Sequence, residues 1–330
     1  MSQASPGDRV IVTGGGGFLG RRLIAELQSS ANAPAHSRPE TIVAIDVVPA
    51  EVAGCVNVQS DLSSAAVFEP FLADGPATIY HLASVVSAGA EADWEAAIGA
   101  NLGGMLRLLE ACRGSGHVHR LVFASSVAVF GGALADSPVG DMVKQTPDGT
   151  YGMTKAMGEM LVNDCTRKGH IDGRSARLPT VVVRPGKPNA AASGFASGLF
   201  REPLQGVPAD VPVGLDAKMV LTSPDSAVGG LLALGQIDGD ALGKDRAVSL
   251  PGLTATVGEM LEVLETVGGA KARQLATLRY DAGVDALVSS WPGHLDDSRG
   301  RALGLPADSD LESIVRAFVD QQLDGRTAFG

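Results

Sequence analysis

Short apolar runs alternate along the chain with stretches in which apolar residues recur at helical spacing. The residues before Gly14 are apolar or β-branched from Val10 to Thr13. The same character returns in Thr41–Val48 (TIVAIDVV), Cys55–Leu62, Ala77–Ala83 (ATIYHLA), Arg120–Ser126 (RLVFASS), Thr180–Arg184 (TVVVR) and Ala247–Leu250. Runs of this kind bounded by turn residues predict buried strands. Between them, Leu23, Ile24 and Leu27 recur at helix spacing, as do Ile98, Leu102, Met105, Leu106 and Leu109 within Asp93–Cys112. A helix is expected to open at Tyr151, after the turn-rich Pro147-Asp148-Gly149-Thr150. Two amphipathic helices are expected over Thr256–Thr266 and Asp310–Gln322. The stretch from Gln28 to Glu40 reads as a loop, Gly186–Pro203 has no strong period, and Pro251-Gly252 and Pro292-Gly293 mark turns. Strands that alternate with helices predict a parallel sheet covered on both faces, a doubly wound α/β fold.

Composition narrows the class. A chain of 330 residues with 45% hydrophobic residues is long and apolar enough for a large core and a second, smaller lobe. The net charge of −11 argues against nucleic acid or an anionic membrane as a partner. Cys55, Cys112 and Cys165 are scattered without metal-ligand spacing, so no metal site is expected, and they read as reduced thiols. Met1–Asp8 carries no basic and apolar leader, and no run approaches the roughly 18 apolar residues of a membrane span. A cytoplasmic protein is expected.

Chemistry enters at Arg9–Gly20, RVIVTGGGGFLG. A strand, a glycine turn and a helix abut there. A helix N-terminus offers unpaired N–H groups and partial positive charge, which suits a diphosphate. Gly14 and Gly17 leave room for the ligand against the backbone, and Gly20 lets the helix pack closely on the strand. Asp46, near the end of the second strand, can accept hydrogen bonds from both hydroxyls of an adenosine ribose and repel a 2′-phosphate. NAD is therefore expected over NADP, with Arg21 and Arg22 as the residues that could favour NADP. These features predict a Rossmann-type sheet.

Tyr151-Gly-Met-Thr-Lys155 places a phenol and an amine on one helix face. A tyrosine with its ordinary pKa of about 10 is a poor base, and a nearby ammonium is expected to lower that value. The Gly-x-x-Gly-x-x-Gly turn, Asp61-Leu62, His81-Leu82-Ala83, Asn101-Leu-Gly-Gly-Met-Leu, the Ser126-Val-Ala-Val-Phe-Gly tail, Tyr151-x-x-x-Lys155 and Arg184-Pro185 stand in the order seen in the extended short-chain dehydrogenases/reductases, and the chain resembles that branch.

The resemblance implies that Ser126, Tyr151 and Lys155 are catalytic. It implies a cofactor site made of Gly14, Gly17, Phe18, Leu19, Gly20, Asp46, Asp61, Leu62, Leu82, Ala83, Asn101, Tyr151, Lys155 and Pro185. Asn101 in that branch supports the active site, and His81 reads as a buried structural histidine. The resemblance also implies a discontinuous organisation: a dinucleotide domain over residues 1–186 and about 220–252, and a C-terminal substrate lobe over 187–219 and 253–330. A homodimer through the helices Asp93–Cys112 and Tyr151–Cys165 is implied as well.

Gly186–Pro203, together with Ser290–Gly293 (SWPG), departs from the sugar-nucleotide epimerases and resembles the D-erythronate dehydrogenase group of that branch. That likeness implies NAD-dependent oxidation of a small sugar acid, D-erythronate, at C2. A nucleotide-sugar epimerase or dehydratase, a uronate dehydrogenase and a non-catalytic NAD-sensing protein are the alternatives. Ser84, Ser87, Ser126, Tyr151, Lys187, Asn189 and Arg201 are the expected substrate contacts. An acid entering a chain of net charge −11 needs a local cation. Arg201 is the first expectation for it and Lys187 the second, with Arg184 taken up at the strand end.

Overall fold

The computed structural model describes residues 9–29, 39–49, 52–132, 138–187 and 191–330. The strands, in chain order, are β1 (Arg9–Thr13), β2 (Thr41–Asp46), β3 (Val56–Gln59), β4 (Thr78–His81), β5 (His119–Ser126), β6 (Ile171–Leu178), β7 (Thr180–Val181), β8 (Ala209–Val211), β9 (Lys218–Thr222), β10 (Ala247–Ser249), β11 (Leu253–Thr256) and β12 (Ala276–Leu278). Among the described residues, seven of them form one parallel sheet in the order β10-β6-β5-β4-β1-β2-β3. Such a sheet is buried on both faces, and successive residues of β1 show it. Val10 and Val12 pack with Leu23, Ile24 and Leu231 on one face. Ile11 packs with Ile45, Leu108 and Phe123 on the other.

β1 pairs with β2 on one side and β4 on the other. The chain order reverses there, so the connections leaving the two strand ends diverge and open a crevice at the carboxyl edge. The glycine turn leaves β1 and Leu82-Ala83 leaves β4 at this crevice. A third apolar cluster lies away from the sheet and gathers Val182, Leu199, Phe200, Met219, Leu264, Val315 and Phe318. It is joined by the small sheets β11-β9-β7 and β12-β8.

The structure corrects several expectations. The sixth strand of the sheet is Ile171–Leu178 rather than Thr180–Arg184; of the latter, Thr180–Val181 pairs with β9 in a separate sheet. Asp172, Arg174 and Arg177 hide β6 from a hydrophobic reading, yet Arg174 and Arg177 are buried. Asp172 forms ion pairs with Arg120, Arg174 and Arg246. Arg174 and Arg120 also donate to the carbonyls of Leu234, Ile237 and Gly235, at the C-terminal end of the helix Pro224–Gln236 where carbonyls lack partners. β2 ends at Asp46, two residues short of the predicted Val48. Gly186–Pro203 contains most of a helix, Gly194–Leu204. Asp93–Cys112 is an α-turn at Trp94–Ala97, a π-helical turn at Ile98–Gly103 and a helix at Gly104–Gly114. The helix expected over Thr256–Thr266 runs from Val257 to Leu275 with non-helical backbone at Gly269.

The helix Thr150–Arg167, which carries the tyrosine and the lysine, lies against β5 and β6. A Cβ on Gly152 would stand 2.0 Å from the carbonyl oxygen of Ala128, so only glycine permits this approach. Glu159 fastens the helix. Its carboxylate accepts from Ser125 Oγ at 2.5 Å, from Gln145, and from Arg177 Nε and Nη2 at 3.0 and 2.8 Å. Ser125 and Arg177 are facing residues of β5 and β6. Arg177 also donates to the Asp141 carbonyl and stacks on Phe130.

Removing one partner of a buried, hydrogen-bonded ion pair leaves the other charge uncompensated. Arg177→Met is expected to lower the unfolding free energy by about 3–5 kcal/mol in a urea titration. A loss within about 0.5 kcal/mol, as for a surface change, would show that Glu159 has other adequate partners.

Candidate active site

A cavity of about 1380 Å³ opens at the carboxyl edge of the sheet. Its walls include Gly14, Gly17, Phe18, Leu19, Gly20, Asp46, Asp61, Leu62, Leu82 and Ala83. Gly14 has φ +74°, and a Cβ there would stand 2.7 Å from the Ala83 amide nitrogen. One on Gly20 would stand 2.1 Å from the Gly14 carbonyl oxygen. The helix Phe18–Gln28 thus begins directly on the turn, with Gly17 as N-cap and no side chain capping it. Its first-turn N–H groups are left for an anionic ligand. Asp46 stands at the rim, held by the amides of Gly16 and Val48 at 2.9 and 3.2 Å. Asp61 is fixed by Ser63, whose hydroxyl and amide hold its carboxyl below the usual range. The residues present fit a dinucleotide: a glycine cradle with no space for side chains, an uncapped helix start, and a carboxylate at the end of β2.

The wall continues through Ser84–Ser87, Ser126, Tyr151, Lys155 and Arg184–Lys187 to Ala191, Ser193 and Trp291. Ser126 ends β5, and its Oγ accepts from the Ala128 amide at 3.1 Å. Lys155 Nζ donates to the Ala124 carbonyl at 2.8 Å and lies 5.4 Å from the Tyr151 ring centroid. The spacing rule thus brings Ser126, Tyr151 and Lys155 to one place.

The electrostatics differ from expectation. Burial pushes the Tyr151 phenol up to about 12, and the hydrogen bond with Ser126 opposes this only in part. Burial draws the Lys155 amine down to about 7, against the pull of Glu159. A lysine so lowered is only partly charged near neutral pH, and the predicted downward shift of Tyr151 is absent from the protein alone. His81 is buried, with Nδ1 2.7 Å from Thr13 Oγ1, and burial followed by the Lys155 charge draws it down to about 3. It is a neutral structural group.

Two expected contacts, Asn101 and Arg201, stand off the cavity. Asn101 is buried behind the wall and not in it. Its Oδ1 accepts from Ser84 Oγ and the Val85 amide, and its Nδ2 donates to the Val85 carbonyl and Thr154 Oγ1. It clamps the loop after β4 to the tyrosine helix, so its expected cofactor contact becomes a support. Arg201 is also buried off the cavity, because its guanidinium pairs with Glu202 and with the Arg184 carbonyl. Asn189 lies outside the described residues. Ser84 and Ser87 do line the cavity, although Ser87 Oγ also accepts from the Ala192 amide. Lys187 lines it and is exposed.

Sequence reasoning passed over Glu159 and Thr154. Glu159 stands four residues beyond Lys155, so helix periodicity places both on one face. Thr154 carried no comparable signal, since its partner Asn101 lies 53 positions away.

A sequence profile described as the NAD-dependent epimerase/dehydratase family matches residues 10–223. The chain belongs to that family. It is 40% identical to a D-erythronate dehydrogenase of Cupriavidus necator over 94% of this chain and 98% of that one. It is 34% identical to a D-erythronate dehydrogenase of Haemophilus influenzae over 96% of this chain and all of the relative. Its structure superposes on that of a nucleoside-diphosphate-sugar epimerase from Agrobacterium tumefaciens with a TM-score of 0.88 and 37% identity, covering 98% and 97% of the two chains. The family's NAD dependence agrees with the cradle and with Asp46.

The His81 result carries a pH dependence. Between pH 6.5 and about 3 the unfolded chain binds a proton at this imidazole that the folded chain does not. The group's contribution to stability therefore rises with pH across that window and is lost as pH falls. His81→Gln is expected to flatten the acid limb of stability by about one proton, read from urea midpoints between pH 6.5 and 4. Parallel limbs would mean that His81 charges freely in the folded protein.

Proposed function

We propose that this chain oxidises D-erythronate to 2-oxo-D-erythronate with NAD. The observation that carries the reading is the meeting of Ser126, Tyr151 and Lys155 in the wall of the same cavity as the glycine cradle. The two D-erythronate dehydrogenases, similar over nearly the full length, supply the acid.

The residues divide the work as follows. When bound, NAD would supply the hydride acceptor for C2 of the acid. Gly14, Gly17 and the helix start at Phe18 would hold its diphosphate, and Asp46 the adenosine ribose. Burial alone keeps the Tyr151 phenol protonated. The positive charge that oxidised NAD would bring into the same cavity favours the phenolate, and in that form Tyr151 takes the proton of the C2 hydroxyl as the carbonyl forms. Ser126 donates a hydrogen bond to the same oxygen, and preorganised donors at the atom gaining or losing charge supply much of the rate. Lys155 has one bond to the Ala124 carbonyl, which leaves N–H groups for the nicotinamide ribose. Lys155 is buried, which strengthens its interactions.

A nucleotide-sugar epimerase reading draws on the similarity to the Agrobacterium tumefaciens protein. The two readings separate on release of reduced cofactor. Wild-type protein with NAD and D-erythronate is expected to accumulate free NADH, and Tyr151→Phe is expected to lose nearly all turnover while still binding NAD. The ratio kcat/KM is expected to favour NAD over NADP, because Asp46 repels a 2′-phosphate. A screen of aldonates and uronates that yields no NADH, or a Tyr151→Phe variant near wild-type rate, overturns the reading.

The protein is further proposed to act in the cytoplasm as a homodimer. Among the described residues no helix is long and apolar enough to cross a membrane. Trp94 and Leu106 on one helical segment, and Met157 and Met160 on the other, are exposed at 58%, 44%, 44% and 62%. Apolar side chains grouped on two neighbouring helices suit a symmetric contact. Sedimentation at micromolar concentration is expected to give a dimer, and Met160→Asp a monomer. A wild-type monomer contradicts the assembly.

A further inference from the structure

With Arg201 buried away from the cavity, another cation must meet the acid. Arg21, Arg22, Arg184 and Lys187 line the cavity. Arg22 is neutralised by Asp225, and Arg21 and Lys187 are exposed, whereas Arg184 is half-buried. Among the described residues no carboxylate pairs with Arg184. Among the described residues its side chain makes one bond, Nη2 to the Lys187 carbonyl at 2.9 Å. Partial burial and the nearby Arg201 hold its pKa below the ordinary value. A half-buried guanidinium without a counterion is an unfavourable arrangement unless a ligand supplies the anion.

The surrounding bonds fix this residue in place. Its amide donates to Ser197 Oγ at 3.0 Å, and its carbonyl accepts from Arg201 Nη1 at 2.7 Å. Both partners lie on the helix Gly194–Leu204. Arg201, with its own charge met by Glu202, therefore acts as a backbone brace for Arg184. Just before that helix, the Ala192 amide donates to Ser87 Oγ at 2.9 Å, which ties Ala192 to the segment after β4. Arg184 thus stands in a wall shared with Ser84, Ser87, Ser126 and Trp291.

Two anions could complete it, the carboxylate of the acid or the diphosphate of the cofactor. The uncapped helix start at Gly17–Gly20 already supplies donors for the diphosphate. We propose that Arg184 binds the carboxylate of the sugar acid, with two parallel hydrogen bonds, and so selects acids over neutral polyols. This assignment rests on the dehydrogenase reading above.

The test is calorimetric titration of D-erythronate into NADH-loaded protein, with NADH affinity measured separately and KM and kcat alongside. Losing one side of a desolvated charge pair is expected to weaken acid binding about thirtyfold or more in Arg184→Gln. NADH affinity is expected to stay within about twofold, because no cofactor contact is removed. Arg184→Lys keeps the charge but not the fork, and is expected to fall between the two. Should the glutamine variant fail to fold, the lysine variant carries the test: weaker acid binding with intact NADH binding supports the assignment, and equal acid binding overturns it.

A parallel loss of NADH affinity overturns it in favour of the diphosphate. If wild-type protein binds the acid through Arg184 but makes no NADH, the dehydrogenase reading falls and the assignment stands. If wild-type protein turns over and Arg184→Gln binds the acid normally, the assignment falls and the dehydrogenase reading stands. If wild-type protein neither binds nor oxidises the acid, both fall.

Discussion

A buried carboxylate with little access to water must be met by donors on every side, and Glu159 imposes that demand on the centre of this molecule. Its partners come from β5, from β6 and from the loop before the tyrosine helix. Satisfying it fixes the rotation and depth of the helix Thr150–Arg167 against the sheet. Lys155 lies one turn away on the same face, and its bond to the Ala124 carbonyl lands beside Ser125, the residue that Glu159 holds. The placement of Tyr151 and Lys155 is therefore inherited from an ion pair between Glu159 and Arg177. Beyond Arg177, Asp141 extends the network to Arg299, so the C-terminal part of the chain is tied to the same point.

A comparable division between visible and hidden groups runs through the rest of the cavity. Part of the surface facing the cavity is small or hydroxylated: glycines, Ala83, Ser84, Ser87 and Ser126. Their positions are set from behind by larger polar side chains. Asn101 holds the segment at Ser84-Val85 to Thr154, and its position in a π-helical turn widens the helix there. Ser197 and Arg201 hold the backbone at Arg184. Mobility of these loops would blur a site that depends on sub-ångström placement, and each backing residue removes a backbone degree of freedom.

Burial also sets the charges. The same desolvation raises Tyr151 and lowers Lys155 and His81. The protein alone thus keeps its reacting centre close to neutral: a protonated phenol, a lysine near its titration point and an uncharged imidazole. The protonation of Tyr151 and Lys155 therefore depends on the charge that a ligand brings into the cavity. The net charge of −11 resides on the surface, where it is well hydrated, while the interior carries arginines paired to acids or to helix-end carbonyls.

Local pattern alone determined the strand–glycine–helix unit, the acid ending β2, the Tyr151–Lys155 face and the alternation that makes a parallel sheet. Each depends on residues within a few positions of one another, where spacing translates directly into geometry. Strand β6 was illegible because its charges lie in a buried network whose partners, Glu159, Arg120 and Arg246, are tens of residues away in sequence or on another element. The helix at Gly194–Leu204 was hidden by glycine and alanine, which carry little amphipathic signal. Arg184, Lys187 and Arg201 are three cations within 18 residues, and nothing in their spacing says which one reaches a ligand. Only tertiary structure separates them: Glu202 neutralises Arg201 and burial withdraws it from the cavity, whereas Arg184 and Lys187 stand in the cavity wall, Arg184 held there by the bond from Arg201 to its carbonyl.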